Sequence, residues 1–205
     1  MRLYHVPQTR SSAVLWLLEE IGAPYDLTVL EPDARKAAEH RTRHPLGRVP
    51  VVEEDGGFVF EQAAIFLHLA DLHPEAELLP PVGTHERALA YQWVLFSMTE
   101  LDPPLVEAAF MRESDPERAT AGGVRFHEAA SVIESALDGR AYLLGDRFGV
   151  ADVACGGKLA VAKLFGLIEG LPRAEAYVER IEARPAHQRA AATDPTPREV
   201  TVTPS

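Results

Sequence analysis

Thr9-Arg10-Ser11-Ser12 places three hydroxyls and a guanidinium in one short loop, between an apolar segment and a stretch with helical periodicity. Hydrogen-bond donors collected where a helix begins suit an anion, a thiolate among them. A thiol of reference pKa about 8.5 is only a few per cent ionised at pH 7. Lowering it by about two units takes about 2.7 kcal/mol of preferential thiolate stabilisation, within reach of one donor, a helix N-terminus and a nearby cation. Ser11 is the favoured donor, with Arg10 and Thr9 behind it. Ser11 and Ser12 equally suit the N-cap of the following helix, and one residue can do both. Further along, Val49-Pro50 interrupts a strand pattern and Glu61-Gln62 opens a helix, where free N–H groups and the dipole favour an anion.

Other chemistries lack their residues. No cysteine occupies the loop, so disulfide exchange has no nucleophile there, and Cys155 lies in an apolar helical stretch as core. His40 and His44 stand at i, i+4 but without an HExxH pattern and with Pro45 next, so they are expected to be structural and no metal is expected. No glycine-rich phosphate loop occurs. With 20 basic against 31 acidic residues in 205, the formal charge of −11 repels phosphate backbones and anionic lipid, which argues against a nucleic-acid or membrane partner. One cysteine cannot form an internal disulfide, the first residues do not read as a signal peptide, and no apolar run reaches membrane-spanning length. The expected location is cytoplasmic.

The elements that must hold these groups follow from periodicity. Leu3 to Val6 reads as a strand closed by Pro7. Val14, Leu17, Leu18 and Ile21 form one helical face, ended by Gly22 and Pro24. Tyr25 to Leu30 reads as a second strand, and Asp33 as the cap of a helix reaching Arg43. Val49 to Glu53 and Gly57 to Phe60 make a hairpin around Asp55-Gly56, followed by a helix carrying Ile65, Leu69 and Leu72. This β-α-β-α-β-β-α order defines a domain over 1–79. Residues 80–83 are expected to be a linker, 84–192 an all-helical domain and 193–205 a loose Pro/Thr-rich tail. Helices are expected over 85–113, split by Pro103-Pro104, and over 116–137, 150–167 and 173–183, with Gly157 where another backbone approaches.

The chain resembles the glutathione S-transferase superfamily over roughly residues 1–190, as a bacterial-type member with a Ser/Thr loop rather than a Cys loop. The resemblance rests on Leu3-Tyr4 with Pro7, Leu17-Leu18-Glu19-Glu20-Ile21-Gly22, Pro45-Leu46-Gly47-Arg48-Val49-Pro50-Val51, and Glu61 before Ala64-Ile65. Leu143-Leu144-Gly145-Asp146, Phe148, Ala151-Asp152 and Arg184-Pro185-Ala186 add to it. It implies an α/β thioredoxin-like N-terminal domain joined to an all-α C-terminal domain, usually as a homodimer with the active site near the domain cleft. It implies glutathione, or another low-molecular-weight thiol, as co-substrate for conjugation to small apolar electrophiles in detoxification. A non-catalytic ligand-binding or regulatory protein on the same fold is the alternative.

By that resemblance Pro50 is cis and lets Val49 exchange main-chain hydrogen bonds with the cysteinyl unit. Glu61 and Gln62 receive the γ-glutamyl end, and Arg48 pairs with the glycyl carboxylate. The chain departs from the pattern at Gln62, where relatives mostly carry Ser or Thr. Asp152 corresponds to a helix-capping acid, with Gly149 in place of the usual Ser or Thr. The electrophile pocket is assigned to the segment from Trp93 to Met111, with Phe96, Phe110 and Met111 lining it.

Overall fold

The computed structural model describes residues 1–194. Contacts divide them into two compact units: Met1–Ala76 together with the chain from Pro185 onward, and Glu77–Arg184. No helix among the described residues is long and apolar enough to cross a membrane.

In the first unit β1 (Arg2–His5), α1 (Ser11–Ile21) and β2 (Asp26–Val29) form a parallel βαβ turn. After α2 (Ala38–Arg43), the hairpin of β3 (Val51–Glu54) and β4 (Gly57–Phe60) adds antiparallel strands on the other side of β1, and α3 (Gln62–Leu72) follows. The sheet order is β2-β1-β3-β4. Leu3, Val14, Leu17, Val51, Val52, Ile65, Phe66 and Leu69 are fully buried, so the apolar faces of α1 and α3 and the central strands make one core. Gly22 ends α1 with φ 73°, a left-handed conformation that donates its N–H to Leu18 O at 2.9 Å.

Several local expectations change. The helix expected from Asp33 to Arg43 divides into a 3-10 turn, Pro32–Lys36, and α2, because Ala37 adopts an extended conformation between them. Neither Ser11 nor Ser12 caps α1. Arg10 occupies that position with no capping bond from its side chain, and the Ser11 hydroxyl turns toward β1 instead. The expected helical domain to residue 192 includes α9 (Pro185–Thr193), which packs on α1 and belongs to the first unit. Of the expected loose tail, Thr193 is helical and Asp194 is buried, while 195–205 lie outside the described residues.

The second unit is helical: α4 (His85–Phe96), a π-helical turn Ser97–Leu101, α5 (Asp102–Phe110), α6 (Pro116–Ala136), α7 (Val150–Leu164) and α8 (Pro172–Glu182). Pro103 and Pro104 fall in the first turn of α5, where their missing donors cost nothing, so the long helix splits there. α7 is the buried centre, packed on α4, α5 and α8. The tight contact falls at Gly156 rather than Gly157 and is with side chains, not another backbone: an added Cβ would lie 2.5 Å from Ile181 Cδ1. Asp152 accepts from Leu143 N–H at 3.0 Å, Gly149 N–H at 2.8 Å and Tyr177 O–H at 2.8 Å, closing the N-terminus of α7. Gly149 replaces a larger cap because an added Cβ would meet Leu78 O at 2.8 Å.

Candidate functional site

Strand register gathers the chemically active segments at one end of the sheet. Tyr4 pairs with Val51 and Val51 with Phe60, so three chain segments leave the sheet side by side. They are the exit of β1 into Val6–Ser12, the entry of β3 from Val49-Pro50, and the exit of β4 into Glu61-Gln62. The Val49–Pro50 peptide is cis. The ladder begins at Val51, leaving the main chain of buried Val49 outside it.

The loop is organised around Ser11. Its Oγ lies 2.8 Å from His5 Nδ1 and 2.8 Å from Thr9 Oγ1, accepts Val6 N–H at 3.2 Å and stands 3.1 Å from Val6 O. Ser11 is fully buried, so the favoured thiol donor sits behind the loop. Thr9 is half-buried and reaches the loop surface, with its Oγ1 2.7 Å from Val6 O. Arg10 is exposed. Ser12 Oγ is buried without a hydrogen-bond partner on the first turn of α1.

Gln62, the departure from the expected pattern, is buried and donates from Nε2 to Arg10 O at 2.7 Å, tying the start of α3 to the loop. Its Oε1 is buried without a partner. The amide expected to meet a ligand carboxylate is therefore engaged with the protein. Glu61 is exposed at the N-cap of α3 with φ 72°, and Gln8 in the loop has φ 62°. Left-handed backbone at two non-glycine residues persists only where the surroundings enforce it, commonly at functional sites.

Around this end, Arg48 is exposed and its carbonyl lies 2.8 Å from His40 Nε2. His44 packs against Phe60 at 4.7 Å between ring centroids, and its Nδ1 accepts Leu46 N–H at 3.1 Å. Burial lowers the pKa of His44, with Glu61 opposing, which keeps it a neutral packing residue. No group of His, Cys, Asp and Glu that could hold a metal occurs among the described residues. Cys155 is fully buried and burial pushes its thiol pKa well up, so it offers no nucleophile.

Of the residues assigned to the electrophile pocket, Phe110 is exposed, and Phe96 and Met111 are half-buried. Phe96 stands edge-on to Trp93 at 5.5 Å and Phe110 to Phe165 at 6.2 Å.

A four-stranded mixed sheet with a cis-proline beside its loop and a separate all-helical unit defines a class: thioredoxin-like domain plus helical domain. Residues 1–71 match the family described as glutathione S-transferase, N-terminal domain, and residues 116–180 that described as glutathione S-transferase, C-terminal domain. Glutathione S-transferase 4 of Zea mays is 29% identical over 88% of this chain and 86% of its own length. A solved glutathione transferase from Methylococcus capsulatus is 30% identical, covering 94% of this chain and 98% of that one, with a TM-score of 0.86. A sphingomonad glutathione S-transferase, solved in complex with glutathione, is 26% identical over 95% and 98%, also with a TM-score of 0.86. The chain belongs to the glutathione S-transferase superfamily.

Proposed function

We propose that the protein is a cytoplasmic glutathione transferase that activates the thiol of glutathione, or of a similar small thiol, and conjugates it to small apolar electrophiles in detoxification. The observation that carries this reading is the gathering of the hydroxyl loop, cis Val49–Pro50 and the N-terminus of α3 at one sheet end. Val49 offers its main chain to the cysteinyl unit. Glu61 and the first amides of α3 take the γ-glutamyl end, and Arg48 the glycyl carboxylate. Thr9 presents its hydroxyl to the sulfur, Ser11 acts through it, and Arg10 with the start of α1 adds positive field. Phe96, Phe110 and Met111 supply apolar contacts to the electrophile, and the working form is a homodimer.

The engagement of the Gln62 amide with Arg10 O favours one second reading, a non-catalytic member that keeps the fold and binds thiols weakly. Turnover of a chloronitroaromatic electrophile with glutathione, alongside calorimetric binding of glutathione, tests both. Turnover supports the enzyme. Binding without turnover supports the second reading, and neither refutes the site.

A further inference from the structure

Beneath the loop lie two groups that the proposed reaction has not used. His5 ends β1 and is fully buried. Its Nδ1 is 2.8 Å from Ser11 Oγ, and its Nε2 is 3.7 Å from Asp194 Oδ1. Asp194, just past α9, is itself buried, and the same Oδ1 accepts Gln8 N–H at 2.9 Å, which helps hold the left-handed backbone of that residue. On the opposite side Ser11 Oγ meets Thr9 Oγ1 at 2.8 Å. A continuous polar line therefore runs from the half-exposed Thr9 through Ser11 and His5 to a carboxylate.

Val6 O competes as an acceptor for both hydroxyl protons, at 2.7 Å from Thr9 Oγ1 and 3.1 Å from Ser11 Oγ, and a relay along this line uses the arrangement in which both turn away from it. His5 Nε2 is buried without a hydrogen-bond partner, and Asp194 Oδ1 at 3.7 Å is beyond hydrogen-bond length, so the carboxylate favours the imidazole proton on Nε2 through its charge rather than through a formed bond. A neutral ring then leaves Nδ1 as an acceptor, and the Ser11 proton turns to it. Ser11 Oγ accepts from Thr9 O–H once that hydroxyl turns from Val6 O to the Ser11 oxygen, 2.8 Å away. Burial lowers the proton affinity of His5 and Asp194, the charged group it faces, opposes that, so the ring rests neutral with Nδ1 open.

We infer that this line is the exit route for the thiol proton, with His5 and Asp194 as positioning residues that act through Ser11 and Thr9; the inference rests on the thiol site proposed above. The S–H bond breaks and its proton passes to Thr9 Oγ1. The Thr9 proton moves to Ser11 Oγ and the Ser11 proton to His5 Nδ1. The sulfur keeps its electron pair as a thiolate and now receives a hydrogen bond from Thr9, while the imidazolium is balanced by Asp194. Once the sulfur has bonded to the electrophile, the proton returns along the same line to solvent.

The test uses the full chain, glutathione and a chloronitroaromatic electrophile, comparing wild type with His5→Gln and Asp194→Asn. Both variants are expected to move the acidic limb of the kcat/KM profile upward by about half a pH unit or more and to lower kcat at pH 7 about tenfold. Glutathione Kd by calorimetry is expected to stay within about twofold. Nitrogen-15 NMR of the His5 ring, which needs no turnover, is expected to place the proton on Nε2 in the ligand-free wild type. A ring protonated on Nδ1 overturns the inference. So does a lowered Tm in both variants with an unmoved pH profile, which would make the pair structural while the thiol site stands. A wild type that does not bind glutathione overturns the site itself, and this route with it.

Discussion

Replacing Asp152 by asparagine tests how burial and hydrogen bonding divide the energy at the N-terminus of α7. Asp152 Oδ1 accepts from Leu143 N–H and Tyr177 O–H, and Oδ2 accepts from Gly149 N–H at 2.8 Å. An asparagine oxygen can keep the first two, but its NH2 must face the Gly149 donor. One buried N–H is then stranded, at a cost of about 2 kcal/mol. The charge works the other way. Burial is the leading cause that raises the Asp152 pKa from 3.8 to about 6, against its three donors and Arg184.

A carboxyl with a folded pKa above its unfolded one binds an extra proton in the folded state, so its stabilisation is lost as pH rises from about 4 to about 6. At about 1.4 kcal/mol per pH unit the full effect is about 3 kcal/mol, of which about 2 falls between pH 4 and pH 7.5. Asparagine escapes this loss. Asp152→Asn is therefore expected to destabilise by about 2 kcal/mol at pH 4 and by close to nothing at pH 7.5. Urea unfolding of both proteins at the two pH values measures it. A penalty larger at pH 7.5 than at pH 4 would show that the three donors outweigh burial, and the reasoning would fail.

Ser11→Ala strands His5 Nδ1 and Val6 N–H, so we expect a stability loss of about 2–3 kcal/mol in thermal melts and a fall in kcat of about tenfold or more. Full activity in that variant, with activity lost on replacing Thr9 or Arg10, would remove Ser11 from the reaction. Gln62→Ser frees the start of α3 for a ligand carboxylate, and calorimetry is expected to show about tenfold tighter glutathione binding for about 1 kcal/mol of lost stability. The buried pair Lys158–Asp102 in the helical unit predicts that Lys158→Met alone costs about 3–5 kcal/mol in urea unfolding. The double change Lys158→Met/Asp102→Leu is expected to cost much less, because no unpaired charge stays buried. Light scattering at micromolar concentration is expected to give twice the 22.5 kDa chain mass; a value near 22.5 kDa would refute the homodimer.

Much of the scaffold is local and therefore legible in the chain. The apolar stripe of α1, the Asp55-Gly56 hairpin, the Gly22 stop and the proline split before α5 each depend on residues a few positions apart. The order of these pieces also carries the superfamily. What the loop hydroxyls do was not legible, because a serine beginning a helix looks the same whether it caps that helix or turns back to a strand. Only the placement of His5 beneath the loop decides that Ser11 bonds inward. Gln62 likewise read as a ligand donor until the fold brought Arg10 O to 2.7 Å, a partner 52 positions away in sequence. Asp194 gave no signal at all among Pro and Thr residues. It becomes a partner of Gln8 and His5 because α9 packs on α1, closing a separation of 186 residues between Gln8 and Asp194. Periodicity and turn chemistry act over a few residues and determine the elements. A buried hydrogen bond between distant residues depends on which surfaces exclude water together, and that is set only when the elements pack.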